Sequence, residues 1–332
     1  MQQVEQADAA RAGVRPPAPL TDALVRGLHR GGAELTRLGG LEPADERDQL
    51  LTLLALYDLN TAPLPVVGDA ARHQWHPALA ELKARLETRW IAALEATPVP
   101  DSIAAREAPA AIRAVAGRDR VPLVYHWLAS EATWEEVVWF LAVEGGPDAG
   151  FDDLVAACQL GLRGRPKLEL ASNYWDELGN GRMEDIHTAL HDRLVEAVAM
   201  PRLDRRDLPV AALERGALGG LLATNRWLQP EMLGALGLLE SQAGPRCRMV
   251  VRAFERLHAP ADAYPFYVVH AEVDPIHGKN WLDNAIAPLA VEQPEWAPRM
   301  VRGAWWRSQV SAGFFQELWA QVSARRAAAV DR

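Results

Sequence analysis

From about residue 20 onward, apolar residues return every three or four positions, the period of a helix packed on one side. In HPALAELKARLETRWIAALEA, Leu79, Leu82, Leu86, Trp90 and Leu94 share one face. LEPADERDQLLTLLALYDL opens with a proline and acids in its first turn, as a helix start does. The same spacing predicts a helix capped by Thr21 and running through Leu38, stopped at Gly39-Gly40, and helices over 102–116, 121–129 and 132–144. Others are expected over 149–161, 165–178, 183–197, 207–228, 230–241 and 244–258, and two long ones over 263–290 and 294–326. No alternating strand pattern, Asn-Gly hairpin or Gly-rich phosphate loop interrupts the series, so the expected fold class is all-α. Residues 1–20, polar and closed by Pro16, Pro17 and Pro19, read as a disordered tail.

Composition narrows the function. The 332 residues are 49% hydrophobic and 24% charged, enough for a full core in one large or two modest domains. A net charge of -9 and no dominant Lys/Arg cluster argue against nucleic acid as a partner. No apolar run reaches membrane-spanning length, and the N-terminus lacks the apolar stretch of a signal peptide. Cys158 and Cys247 form no CxxC, which fits a reducing, cytoplasmic setting. The 12 tryptophans, several at helical spacing, read first as bulky helix packing.

The chemistry concentrates in FYVVHAEVDPIHGKNW, residues 266–281. On a helix, His270, Asp274 and His277 fall within roughly 60° of arc, so two imidazoles and a carboxylate face one way. That donor set suits iron, manganese or zinc. Pro275, between them, should kink or loosen the helix. One helix cannot close a metal site, and two sets of partners compete. The first is a pair of ExxH motifs, Glu184/His187 and Glu255/His258, as in ferritin-like di-iron bundles. The second joins Glu177 and His187 to Glu240 and to the His270/Asp274/His277 helix. It needs Gly179-Asn180-Gly181 to break the helix, because ten unbroken residues would leave Glu177 and His187 about 80° apart.

The order E…H…E…HxxxDxxH, with NYWDELGNG at 173–181, resembles the haem-oxygenase-like di-iron oxidases and oxygenases, the iron-containing redox enzymes. The resemblance covers about residues 120–325. It implies a haem-oxygenase-like bundle of about seven core helices over 119–326, with accessory helices over 21–118. It implies two Fe ions held by Glu177, His187, Glu240, His270, Asp274 and His277. Glu144, in WFLAVEGG, resembles a further carboxylate that some members place near the metals.

The activity implied by the resemblance is that of a non-haem di-iron oxygenase of specialised metabolism. It would activate O2 through a peroxo-di-iron(III) species to oxidise a small molecule. The ten-residue Glu177–His187 spacing, as in amine N-oxygenating members, tilts the substrate towards an amino acid or amine. N-oxygenation and oxidative C–C cleavage are the reactions in view. Arg302, Arg307, Lys279 or Arg248 are candidates for binding a substrate carboxylate, although a surface role is the simpler reading of each. Tyr264 and Tyr267 are candidates for hydrogen bonding beside the metals. An external electron donor and a homodimer are compatible with this picture. The ferritin-like arrangement, a metal-free helical partner protein of the same fold and a haem-binding relative remain as alternatives.

Overall fold

The computed structural model describes residues 19–145 and 150–330; the expected tail lies outside them as far as residue 18. The fold is all-α, with no strand among the described residues. No described helix is long and apolar enough to cross a membrane. The chain divides into two compact units between Trp90 and Ile91. The second unit begins at Ile91.

In the first unit, α1 (Leu20–Arg30) and α2 (Gly32–Leu38) replace the single helix expected from Thr21 to Leu38. Gly31 and Gly32 take φ of +71° and +56°, a left-handed conformation that ends one helix and begins the next. Thr21 is no local cap. The cap comes from α3 (Glu46–Thr61), where the buried Asp48 accepts from Leu20 N at 2.7 Å and Thr21 N at 2.9 Å. The Thr21 hydroxyl donates to Asp48 Oδ1 at 2.7 Å, and Ala44 N donates to Oδ2 at 2.9 Å. Burial alone would raise the Asp48 pKa, but these donors hold it below its ordinary value. Leu24, Leu35, Leu50, Leu53, Leu79 and Leu82 make the core of this unit, the last two from α4 (Pro77–Glu95).

The second unit contains α5 (Ala108–Arg118), α6 (Leu123–Ser130), α7 (Trp134–Gly145), α8 (Phe151–Cys158), α9 (Gly164–Glu177) and α10 (His187–Ala197). It continues with α11 (Val210–Thr224), α12 (Gln229–Leu257), α13 (Tyr264–Asn280) and α14 (Trp296–Val330). Its axis is α12, packed against α13, α14, α6 and α5. The sequence predicts two helices here, separated before Gly244-Pro245, yet α12 runs unbroken through both residues. Burial decides the difference: Gly244 and Pro245 are both buried, and packing along the helix outweighs the backbone hydrogen bond that Pro245 removes.

Close backbone approach sets where the helices cross. A Cβ at Gly303 would lie 1.9 Å from Glu231 O, so α14 touches the α12 backbone there. A Cβ at Gly278 would lie 2.9 Å from Ser241 Cα, which brings α13 onto α12 further along. The neighbours of that second contact are His277 and Glu240. The expected helix over 263–290 ends as an α-helix at Asn280 and continues as a π-turn, Trp281–Ile286, before Ala287–Glu292. Trp281 is fully buried and donates from Nε1 to Leu233 O at 3.0 Å, which anchors that turn on α12.

Candidate metal centre

The fold gathers five of the six residues singled out by sequence into candidate ligand groups, with Asp274 buried beside them. Glu177 is the last residue of α9. The chain then reverses through Gly179, Asn180 and Gly181, with φ of +61°, +52° and +84°. A Cβ at Gly179 would lie 2.5 Å from the Asp185 carbonyl carbon, so only glycine allows the chain to fold back this tightly. His187 is the first residue of α10, later than the helix start at 183 expected from sequence. The reversal places His187 Nδ1 2.6 Å from Glu177 Oε2.

Two groups of potential ligand atoms result. Glu177, His187 and His270 form one; Glu177, Glu240 and His277 form the other, and within each group the atoms lie within 4.8 Å of one another. Glu177 belongs to both. Asp274 is buried beside them and belongs to neither group at that distance; nevertheless the charges that act on it are those of Glu240 and Glu177. Glu144 also lies outside both groups, accepts a hydrogen bond from the Tyr125 hydroxyl, and lines a neighbouring cavity.

Hydrogen bonds decide which imidazole nitrogen each histidine can offer. His270 Nδ1 lies 2.6 Å from the Phe266 carbonyl, which only accepts, so that nitrogen carries the proton and Nε2 keeps its lone pair. His277 is the reverse. Its Nε2 lies 2.9 Å from Asp176 Oδ2, leaving Nδ1 to face Glu240 Oε2 at 3.7 Å, too far for a hydrogen bond. Asn173 Nδ2 donates to Glu240 Oε1 at 2.7 Å. Asn173, Asp176 and Glu177 lie on one face of α9, so its last turn supplies one shared carboxylate and orients donors from α12 and α13. Sequence reading missed Asn173 and Asp176, although both stand in the NYWDELGNG segment it had marked.

Electrostatics follow from burial and crowding of like charge. Burial first, then the Glu240 and Glu177 carboxylates, push the Asp274 pKa well above its ordinary value. His270 is held down to about 4, mainly by burial and by the neighbouring His187. His277 goes the other way: burial would lower it, but the carboxylates of Glu240 and Asp176 raise it to about 9. His187 Nδ1 and His277 Nδ1 are buried and make no hydrogen bond with proper alignment. Buried nitrogens without a well-aligned hydrogen bond, next to crowded carboxylates, fit divalent cations: iron between these donors would offset the repulsion.

The helix around Pro275 is not loose. Pro275 lacks the N–H that would bond Ala271 O, and Arg248 Nη1 from α12 donates to that carbonyl at 2.6 Å instead. The Pro275 ring packs where a Cβ at Gly244 would lie 2.7 Å from its Cγ, so α13 continues through the proline. This bond also removes Arg248 from the carboxylate-binding candidates. Lys279 pairs with Asp283 at 3.0 Å, and Arg302 pairs with the buried Glu231 and with Glu95, so neither serves the cavity. Tyr264 packs edge-on against Phe254. Of the remaining candidates, Arg307 and Tyr267 do line it. The ferritin-like pairing is not assembled: Glu184, Glu255 and His258 belong to neither ligand group, and His258 is the left-handed cap of α12.

Beside the ligand residues lies a cavity of about 260 Å³, bounded by Glu177, Glu240, His270 and Asp274. Leu141, Leu154, Phe151, Leu239 and Phe266 give it apolar walls. Fold and site together define an all-α protein with two overlapping carboxylate–imidazole ligand groups beside a small-molecule cavity. Residues 138–312 match the model of a protein family described as iron-containing redox enzyme. The match spans more than half of the chain and includes all six candidate ligand residues: the chain belongs to that family and is an iron-dependent oxidoreductase with a haem-oxygenase-like helical fold. No curated protein matches it.

Proposed function

We propose that the protein is an O2-dependent, non-haem di-iron oxidase or oxygenase acting on a small molecule, with an amino acid or amine as the substrate. The observation that carries this reading is the pair of ligand groups sharing Glu177 beside the cavity. Glu177, shared by both groups, would hold iron together with His187, His270, Glu240 and His277, and Asp274, buried among them, would complete the set. Bound iron would supply the activation of O2 that no side chain can perform. The rest falls to the chain. Asp176 and Asn173 fix the orientation of His277 and Glu240, and the apolar walls exclude water from the substrate.

Anaerobic titration of metal-free protein with Fe(II) should saturate at two ions per chain, and O2 should then be consumed in an iron-dependent burst. His270→Ala and His277→Ala should each abolish uptake of at least one ion, whereas Glu255→Ala should leave uptake intact. Uptake lost in Glu255→Ala would restore the ferritin-like scheme. No uptake by the unaltered chain would leave the metal-free partner protein as the better description.

A further inference from the structure

The cavity beside the ligand residues has a second polar end. Tyr125, Glu144, Arg215, Arg246 and Arg307 line it together with the ligand carboxylates. Arg215 is 6% exposed, donates from Nη1 to Glu144 O at 3.2 Å, and stacks its guanidinium 4.5 Å from the Phe314 ring. Arg246 is pinned by Asp119 O at 2.7 Å and Gln242 Oε1 at 3.0 Å, while its Nη1 makes no hydrogen bond among the described residues. Three guanidiniums thus line this end of the cavity, with Tyr125 beside them and Glu144 as the one carboxylate among the lining residues there.

Distance along α12 separates this end from the ligand residues. Glu240, Ala243 and Cys247 form one wall at i, i+3 and i+7, and Arg246 lies six residues beyond Glu240, about 9 Å of helix rise. Electrostatic neighbourhoods give the same order. Asp274 responds to Glu240 and Glu177, whereas Tyr125 responds to Glu144, Arg246 and Arg215. Cys247 stands between them, close enough to feel Asp274 and Glu144 alike.

We infer that this end binds the carboxylate of the substrate, so that the atom to be oxidised lies at the opposite end of the molecule, against Glu177, Glu240 and His270. Binding of the carboxylate rests on the cavity alone; the position of oxidation rests also on the di-iron reading. A planar guanidinium matches a carboxylate through two parallel hydrogen bonds, and beside apolar walls such a pair is stronger than at a fully exposed surface. Three arginines lining one end of a cavity favour an anion there, and a monocarboxylate supplies one. Substrates that place the carboxylate on the metals are excluded by this assignment.

The test is calorimetric titration of the metal-free and Fe(II)-loaded full chain with hexanoate, 6-aminohexanoate and hexylamine, in the absence of O2. Hexanoate and 6-aminohexanoate should bind the metal-free chain, and hexylamine should bind at least tenfold more weakly. Arg215→Gln and Arg307→Gln should each weaken hexanoate binding tenfold or more without changing Fe(II) uptake. Should Arg215→Gln fail to fold by circular dichroism, Arg307→Gln, at a half-buried position, and the charge-retaining Arg215→Lys decide the matter. The assignment is overturned if hexanoate binds only after Fe(II) is added and is indifferent to both glutamine variants, because the carboxylate then sits on the metal. Equal binding of hexylamine and hexanoate overturns it as well. Failure of the chain to take up Fe(II) at all would sink the di-iron reading, while the metal-free titration still answers for the carboxylate.

Discussion

Two buried aspartates, one in each unit, have opposite surroundings. Asp48 is 5% exposed and is met by backbone N–H groups of Leu20, Thr21 and Ala44 and by a hydroxyl. Asp274 is 3% exposed, receives no hydrogen bond among the described residues, and feels two more carboxylates. Donors pull the first pKa below its ordinary value; burial and like charge push the second above it. A carboxylate surrounded by donors holds a fold together. One surrounded by its own kind is tolerated for something that arrives later, and a cation is what would relieve it.

The largest effect should come from Asp48→Ala, which orphans several donors at once and should cost on the order of 3 kcal/mol in chemical denaturation of the metal-free chain. Next is Asp176→Ala. Loss of the carboxylate that orients His277 should weaken Fe(II) binding about 10–100-fold, and Asp176→Asn, which keeps an acceptor, should recover part of it. Unchanged affinity in both variants would show that His277 needs no orientation. Asp274→Asn should have the sign opposite to Asp48→Ala: it should raise the stability of the metal-free chain by about 0.5–2 kcal/mol while lowering Fe(II) uptake. A destabilising result would remove the contrast between the two aspartates.

The pH response of the metal-free chain tests the same contrast by titration. Asp48, with a lowered pKa, contributes stability that is present above 3.8 and is lost as pH falls through its folded value. His277, raised to about 9, contributes stability that is present below 6.5 and fades as pH rises through 9. His270, held at about 4, contributes a stability penalty instead. Its neutral form is favoured in the fold, so stability is full above 6.5 and declines as pH falls towards 4. Thermal melts across pH should therefore show an alkaline loss that His277→Gln removes and an acid loss that Asp48→Asn reduces.

Sequence by itself determined the fold class and marked the candidate ligand residues. Helical periodicity is a local property, and His270, Asp274 and His277 declare a common face within two turns of one helix. The glycines of GNG announced the reversal that joins Glu177 to His187, because positive φ is written in residue type. Tertiary structure decided what depends on contact. Gly244-Pro245 reads locally as a break and Pro275 as a loosened turn, yet packing carries α12 through the first, and Arg248 caps the carbonyl freed by the second. Asn173 and Asp176 look like ordinary polar residues on a helix, and only their partners on α12 and α13 give them a role. Arg215 and Arg246 carry no local mark either. An arginine becomes a binding group through the cavity it faces, and that cavity is built by residues far apart in the chain.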